Sequence, residues 1–212
     1  MLRSRWTRLI LFLACSAPFG FLAWRFYQQD LGPNPLETLQ HFTGDWTIRL
    51  IVATLAVTPL RKLPRLSDLI RFRRMLGLFA FFYGCLHFLV YLYFDKLFDF
   101  TEIVKDVGKR PFITAGFAGL AAMAPLALTS TKGWVRRLGG KRWQRLHRLI
   151  YFTGIAAVAH YFWLVKSDIR LPFLYAVLVF GLLLVRVGYA YNRKHASHSH
   201  RLADRVSRAA SE

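Results

Sequence analysis

Carboxylates are scarce in this chain. Asp and Glu together number 11 against 30 Lys and Arg, which leaves a formal charge of +19. Cysteine is scarcer still: the chain has two, Cys15 and Cys85, each inside its own apolar run. They have neither metal-ligand spacing nor the pattern of a disulfide framework, and they read as small core hydrophobes. No polar stretch between the apolar runs is long enough to fold as a soluble domain. No A-x-A cleavage site follows the first apolar run at a suitable distance, so that run is expected to be a retained helix.

What is present points to a membrane. Hydrophobic residues make up 55% of the chain and aromatics 16%, with a mean hydropathy of +0.30. The basic residues fall in blocks between apolar runs: Arg3 to Arg8, Arg61 to Arg74, Lys132 to Arg148, and Arg186 to Arg208. The alternate linkers differ. Gln28–Asp45 has three acids and no Lys or Arg, and Asp95–Arg110 has four of each sign. Such alternation is the positive-inside pattern, so the charge is read as topology rather than as a nucleic-acid footprint.

The fold class expected is an all-α integral membrane protein, a six-transmembrane-helix bundle with both termini cytoplasmic. The spans are placed at about 9–26, 46–60, 75–94, 112–129, 147–165 and 171–190, within a single domain of 1–192 followed by a basic tail at 193–212. The outer linker contains Asn34-Pro35-Leu36-Glu37, an N-cap, N1 proline and N3 glutamate that predict a short helix on the membrane surface, ended by His41. His41 reads as exposed or interfacial. His195, His198 and His200 fall in the tail and read as solvated rather than as a metal tract.

Three histidines lie within or at the ends of apolar runs: His87, His147 and His160. Ionisable groups at such positions are costly and usually functional, and neutral imidazole is a common haem ligand. By depth counting, His87 and His160 both fall in the outer half of spans that run in the same direction, where two imidazoles can hold one haem axially. Bis-histidine ligation fills both axial positions and favours electron transfer over oxygen chemistry. His147 lies at the inner level. Thirteen residues of helix separate it from His160 by roughly 20 Å along the axis and about 140° around it, unless a bend near Gly154 intervenes. Counting thirteen residues back from His87 reaches Arg74, beside Arg73. Arginine pairs with a propionate or a quinone oxygen rather than with iron.

The segments WQRLHRLIY with His160, and GCLHFLVY around His87, resemble helices 5 and 3 of the ferric-reductase-like transmembrane family, which includes ferric reductases and NADPH oxidases. The resemblance extends to LGPNPLETLQHFTG at 31–44, ATLAVTPLR at 53–61, RRMLGLFAFFYGCLHFLVY at 73–91 and ALTSTKGWVRRLGGKRWQRLHRLIY at 127–151. Within that family the chain is most similar to haem-binding membrane subunits of periplasmic protein-methionine-sulfoxide reductase systems. The resemblance implies a b-type haem, with His87 and His160 as iron ligands and a second haem if His147 finds a partner. It further implies FMN, a membrane quinone as electron donor, and a periplasmic molybdopterin methionine sulfoxide reductase as acceptor. The location implied is the bacterial inner membrane. The family's oxidases carry two histidines on each of helices 3 and 5, whereas this chain has one on helix 3. His147 is therefore assigned to an inner haem with an unusual partner or to a flavin or quinone site, with Arg74 as a propionate or quinone contact. The alternative is a ferric reductase or oxidase module. Arg186–Glu212 has no glycine-rich dinucleotide fingerprint, so such a module would depend on a separate cytosolic flavoprotein.

Overall fold

The computed structural model describes residues 5–64 and 66–209, with side chains as far as residue 192 apart from residue 190. The described residues are helical, with no strands. In chain order they form α1 (Arg5–Tyr27), α2 (Pro35–Leu60), a 3-10 turn (Ser67–Arg71), α3 (Arg73–Val90) with a π turn (Tyr91–Asp95), α4 (Phe100–Lys109), α5 (Pro111–Leu128), α6 (Lys132–Leu138), α7 (Gly140–Leu146), α8 (Leu149–Leu164) and α9 (Arg170–Ala209).

Among the described residues, four segments are long and apolar enough to cross a membrane: Arg5–Tyr27, Arg73–Asp95, Pro111–Leu128 and Arg170–Tyr189. Their outer faces carry large exposed side chains, among them Trp6, Phe21 and Trp24 on α1 and Phe173, Val177 and Leu184 on α9. In water such a surface would aggregate, whereas lipid solvates it. This is an all-α membrane protein. Of the other two expected spans, α8 has 16 residues, and α2 carries Glu37, Asp45 and Arg49.

The outer linker differs from expectation. Asn34 does cap a helix, its side chain accepting from the Glu37 N–H at 3.3 Å while its amide donates to the Glu37 carboxylate at 2.8 Å. That helix does not end at His41. It continues without a break into the second apolar run, making α2 a single rod of 26 residues, about 39 Å long. Nothing between His41 and Trp46 interrupts the backbone ladder, since Gly44 is tolerated inside a helix. At the other end, α9 continues through the expected tail to Ala209. The side chains of His195, His198 and His200 lie outside the described residues.

α2 pairs antiparallel with α3, and α5 with α8, while α9 closes against α2 and α8. Ile51 and Leu55 of α2, Ala80 and Tyr83 of α3, and Val179 of α9 form the fully enclosed centre. α1 lies more loosely along α3, held by Tyr83. The Tyr83 hydroxyl donates to the Cys15 carbonyl at 2.8 Å and accepts from the Phe19 N–H at 3.0 Å. An unbroken helix would pair those two backbone groups with each other. The inserted hydroxyl lies beside Pro18, where α1 already lacks an N–H.

Candidate functional site

His87 and His160 meet near one end of the bundle, their ring centres 6.0 Å apart and their planes at 85°. Each ring is tethered through Nδ1 to a carbonyl on a neighbouring helix. For His87 the tether is the Gln40 carbonyl of α2 at 3.1 Å. The Thr43 hydroxyl also stands 3.2 Å from this nitrogen, but its own proton goes to the Leu39 carbonyl at 2.7 Å. For His160 the tether is the Phe112 carbonyl of α5 at 2.6 Å. A carbonyl only accepts, so both Nδ1 atoms carry the proton and both Nε2 atoms keep a lone pair. A metal-bound imidazole requires that tautomer, with its second nitrogen engaged in the same way.

Two glycines make room for these rings. A Cβ at Gly44 of α2 would lie 3.2 Å from the His87 Cε1, and one at Gly116 of α5 would lie 2.7 Å from the His160 Nδ1. Each ring therefore rests against bare backbone. Two imidazoles binding one ion from opposite sides at about 2 Å hold their centres about 6 Å apart, which the observed spacing matches. Among the described residues no cluster of three His, Cys, Asp or Glu exists. A bare ion between two imidazoles would be underligated, whereas a porphyrin brings four nitrogens of its own. The pair therefore suits haem.

His147 lies elsewhere, at the junction of α7 and α8. The helix is interrupted at His147–Arg148, where α7 ends and α8 begins. The bend thus comes at His147 itself rather than near Gly154. The ring stacks on Trp143 at 3.8 Å between centres and 27° between planes, and its Nδ1 donates to the Trp143 carbonyl at 3.1 Å. Trp143 is anchored in turn by its indole N–H to the Thr129 carbonyl at 2.9 Å. The His147 Nε2 is buried without a hydrogen-bond partner. The Leu126 carbonyl is close, but an acceptor cannot satisfy a lone pair. This imidazole lines a cavity of about 250 Å³ together with Arg73, Arg74, Thr54, Met123 and Trp143. The depth count that led from His87 to Arg74 and Arg73 thus leads to residues sharing a cavity with His147.

His41 belongs to neither group. Its side chain is 66% exposed and stands 4.0 Å from the Glu37 carboxylate. Cys15 and Cys85 are free thiols, buried and half-buried. The residues that sequence reasoning missed are the second layer: Gln40 and Phe112, which contribute only carbonyls, and Thr43 and Gly44. Gly116 carries no sign in the sequence that it seats a histidine. Backbone acceptors leave no trace in residue type, so only the fold could reveal them.

The ferric reductase like transmembrane component family matches residues 43–158, a span that begins at Thr43 and holds His87 and His147 but stops just short of His160. Curated relatives match over most of their length. One from Herminiimonas arsenicoxydans is 50% identical over 192 residues, 90% of this chain and 88% of the relative. One from Caulobacter vibrioides is 47% identical over 178 residues, 84% of this chain and 85% of the relative. One from Xanthomonas axonopodis pv. citri is 48% identical over 187 residues, 85% and 84%. Each of the three is named as the heme-binding subunit MsrQ of a protein-methionine-sulfoxide reductase. No solved structure matches. With the family spanning more than half of its residues and relatives near half identity along most of its length, the chain belongs to the ferric-reductase-like transmembrane family, together with these MsrQ relatives.

Proposed function

We propose that this protein is a b-type haem electron-transfer subunit. It takes electrons from the membrane quinone pool and delivers them across the bacterial inner membrane to a periplasmic molybdopterin-containing methionine sulfoxide reductase. The observation that carries this reading is the His87–His160 pair, two imidazoles 6.0 Å apart with both outer nitrogens pinned to carbonyls. The relatives' names supply the reductase system to which the pair belongs.

Haem, when bound, supplies reversible one-electron chemistry at its iron. Everything else falls to the chain. Gln40 and Phe112 hold the two rings in one tautomer and at one spacing, so that neither ligand has to reorganise. With both His87 and His160 engaged, a bound iron would have no open position for oxygen. At the other level, the His147 Nε2 is placed to accept a proton from a quinol hydroxyl, with the Arg73 and Arg74 guanidinium groups available to a quinone oxygen or a haem carboxylate. The cavity they share has the size of a quinone head group rather than of a whole flavin nucleotide. FMN remains part of the proposal through family resemblance alone. In this reading α2 and α8 join the four apolar spans to make six, both termini are cytoplasmic, and the Gly44–Gly116 level lies on the periplasmic side. The chain itself carries out no chemistry on methionine sulfoxide.

A second reading draws on the family name: a ferric reductase or oxidase module fed by a cytosolic flavoprotein. The two separate in one experiment. The purified protein is reduced and its visible spectrum followed. Reoxidation by the periplasmic reductase plus methionine sulfoxide, but not by ferric chelates, is expected. Rapid oxidation by ferric chelates alone would replace the first reading with the second, and a reduced spectrum with no haem α-band would defeat both.

A further inference from the structure

Pro59 lies inside α2. Proline has no N–H to offer the carbonyl four residues back, so the Leu55 carbonyl loses its helical donor near the C-terminal end of α2. Arg186 of α9 supplies the replacement, donating from one terminal guanidinium nitrogen at 2.5 Å. The same guanidinium lies 4.9 Å above the centre of the Tyr151 ring. This accounts for one terminal nitrogen and one face of the group. Its Nε and its other terminal nitrogen are buried and have no hydrogen-bond partner. The Thr58 hydroxyl, three residues along α2 from Leu55, is likewise buried and unpartnered. Unmet donors at buried positions are expensive, and a guanidinium is the costliest kind.

The charges nearby have the same sign. Arg73 at the start of α3 interacts electrostatically with both Arg186 and Arg61, as well as with Tyr151. The Lys62 ammonium sits 3.1 Å from the centre of the Tyr189 ring, one turn beyond Arg186 on α9. Among the described residues no ion pair joins a carboxylate to Arg61, Arg73 or Arg186. Helices α2, α3 and α9 thus bring together cations and free donors that need an anion. The approach is through lipid: Leu184, Val185 and Val187, on either side of Arg186, are exposed apolar side chains on the outside of the bundle. A group reaching Arg186 along that face arrives with hydrocarbon beside it. Basic pockets between membrane helices, at the end bearing the basic loops, suit phospholipid head groups.

We propose that Arg186, with Arg73, Arg61 and Thr58, forms a binding site for the phosphate of an acidic phospholipid. The second terminal nitrogen of Arg186 offers a charge-assisted donor to a phosphate oxygen. The Thr58 hydroxyl offers a second donor, and Arg73 and Arg61 add positive charge. Arg73 borders both sites, since it lines the His147 cavity, whereas Arg186, Arg61 and Thr58 do not.

The test uses the full-length haem-loaded protein, stripped of lipid in detergent. Binding of cardiolipin, of phosphatidylcholine and of inorganic phosphate is measured by native mass spectrometry and by the shift in thermal unfolding. Arg186→Gln alone could unfold the chain by abandoning the Leu55 carbonyl. It is therefore made in the background of Pro59→Ala, which returns an N–H to that carbonyl. Cardiolipin should bind and stabilise the wild type and Pro59→Ala. Binding should be at least about tenfold weaker in Pro59→Ala/Arg186→Gln, the loss of one charge-assisted contact, and weaker to a lesser degree in Arg61→Gln. Haem absorbance should be the same in all four proteins. Equal cardiolipin binding in the double variant would overturn the proposal. So would equal stabilisation by phosphatidylcholine, or full stabilisation by inorganic phosphate. Loss of haem with cardiolipin binding intact would also overturn it, reassigning Arg186 to a haem carboxylate.

Discussion

The His160 imidazole and Gly116 stand so close that a methyl group added to the glycine would lie 2.7 Å from the ring nitrogen. That nitrogen is the one held by the Phe112 carbonyl, so the ring cannot retreat without giving up its tether. Gly116→Ala should cost about 1–3 kcal/mol as an overpacked site and displace His160. The expected readout is loss of most of the six-coordinate low-spin haem signal in a protein that still folds. Gly44→Ala is the milder case, because its methyl would meet the His87 ring at 3.2 Å and a few tenths of an ångström of movement relieve it. Haem retained, with a shifted potential, is expected there. If Gly116→Ala kept an unaltered spectrum, the His160 ring would not be seated against Gly116 in the haem-bound protein.

His87→Ala and His160→Ala should each abolish the bis-imidazole spectrum, and added free imidazole should partly restore it, since each substitution leaves an imidazole-sized space. His147→Ala should keep that spectrum and slow reduction by quinol instead. Stopped-flow reduction with a water-soluble quinol distinguishes the two classes. A His147→Ala protein reduced at the wild-type rate would remove His147 from the electron-uptake site.

Tyr83 is completely buried, and its hydroxyl bridges two backbone groups of α1. Tyr83→Phe should destabilise the protein by about 1 kcal/mol, the net value of a typical hydrogen bond, with haem content unchanged. The loss should appear first in α1 as faster amide exchange around Phe19. Equal exchange in the two proteins would mean that α1 closes its own ladder once the hydroxyl is gone.

Asp106 joins α4 to the end of α3. Its side chain is 12% exposed, 2.8 Å from the Lys96 ammonium and 3.3 Å from the Arg110 guanidinium, and the Tyr91 hydroxyl donates to it at 3.2 Å. The hydrogen bond from Lys96, aided by Arg110, holds the Asp106 carboxyl below the usual carboxylate range, and Asp106 raises Lys96 in return. A depressed carboxyl contributes its stability in full above the unfolded value of about 3.9, and loses it as pH falls through the lower folded value. A raised lysine contributes in full below about 10.4 and loses it as pH rises through its higher folded value. Amide protection in 100–109 should therefore be level across neutral pH and decline only in strong acid or strong base. Asp106→Asn should lower it at neutral pH and flatten the acid limb. An unchanged acid limb in that variant would assign it to another group.

Much of the site was legible in the residues. His87, His147 and His160 stand out because imidazole is rare in long apolar runs, and a depth count was enough to pair His87 with His160 and His147 with Arg73 and Arg74. Depth follows from rise per residue, a local quantity. The angular problem was legible too, since 3.6 residues per turn cannot put His147 and His160 on one face. The position of the break was not, because WQRLHRLIY contains no proline or glycine to mark it. The outer linker misled for a related reason. Asn34-Pro35-Leu36-Glu37 announces where a helix begins, but nothing in His41–Trp46 says whether it ends.

By itself the sequence determined the helical membrane character, the alternation of basic and non-basic linkers, the identity of the candidate ligands and the family. All of these depend on composition, local periodicity or similarity along the chain. Only the tertiary structure decided which carbonyl holds each imidazole, that Gly44 and Gly116 are the seats of His87 and His160, and that Arg186 answers the Leu55 carbonyl exposed by Pro59, 131 positions away. Those pairings depend on how each helix is rotated about its axis when it packs. Rotation is set by side chains meeting across the bundle, and no local pattern encodes it.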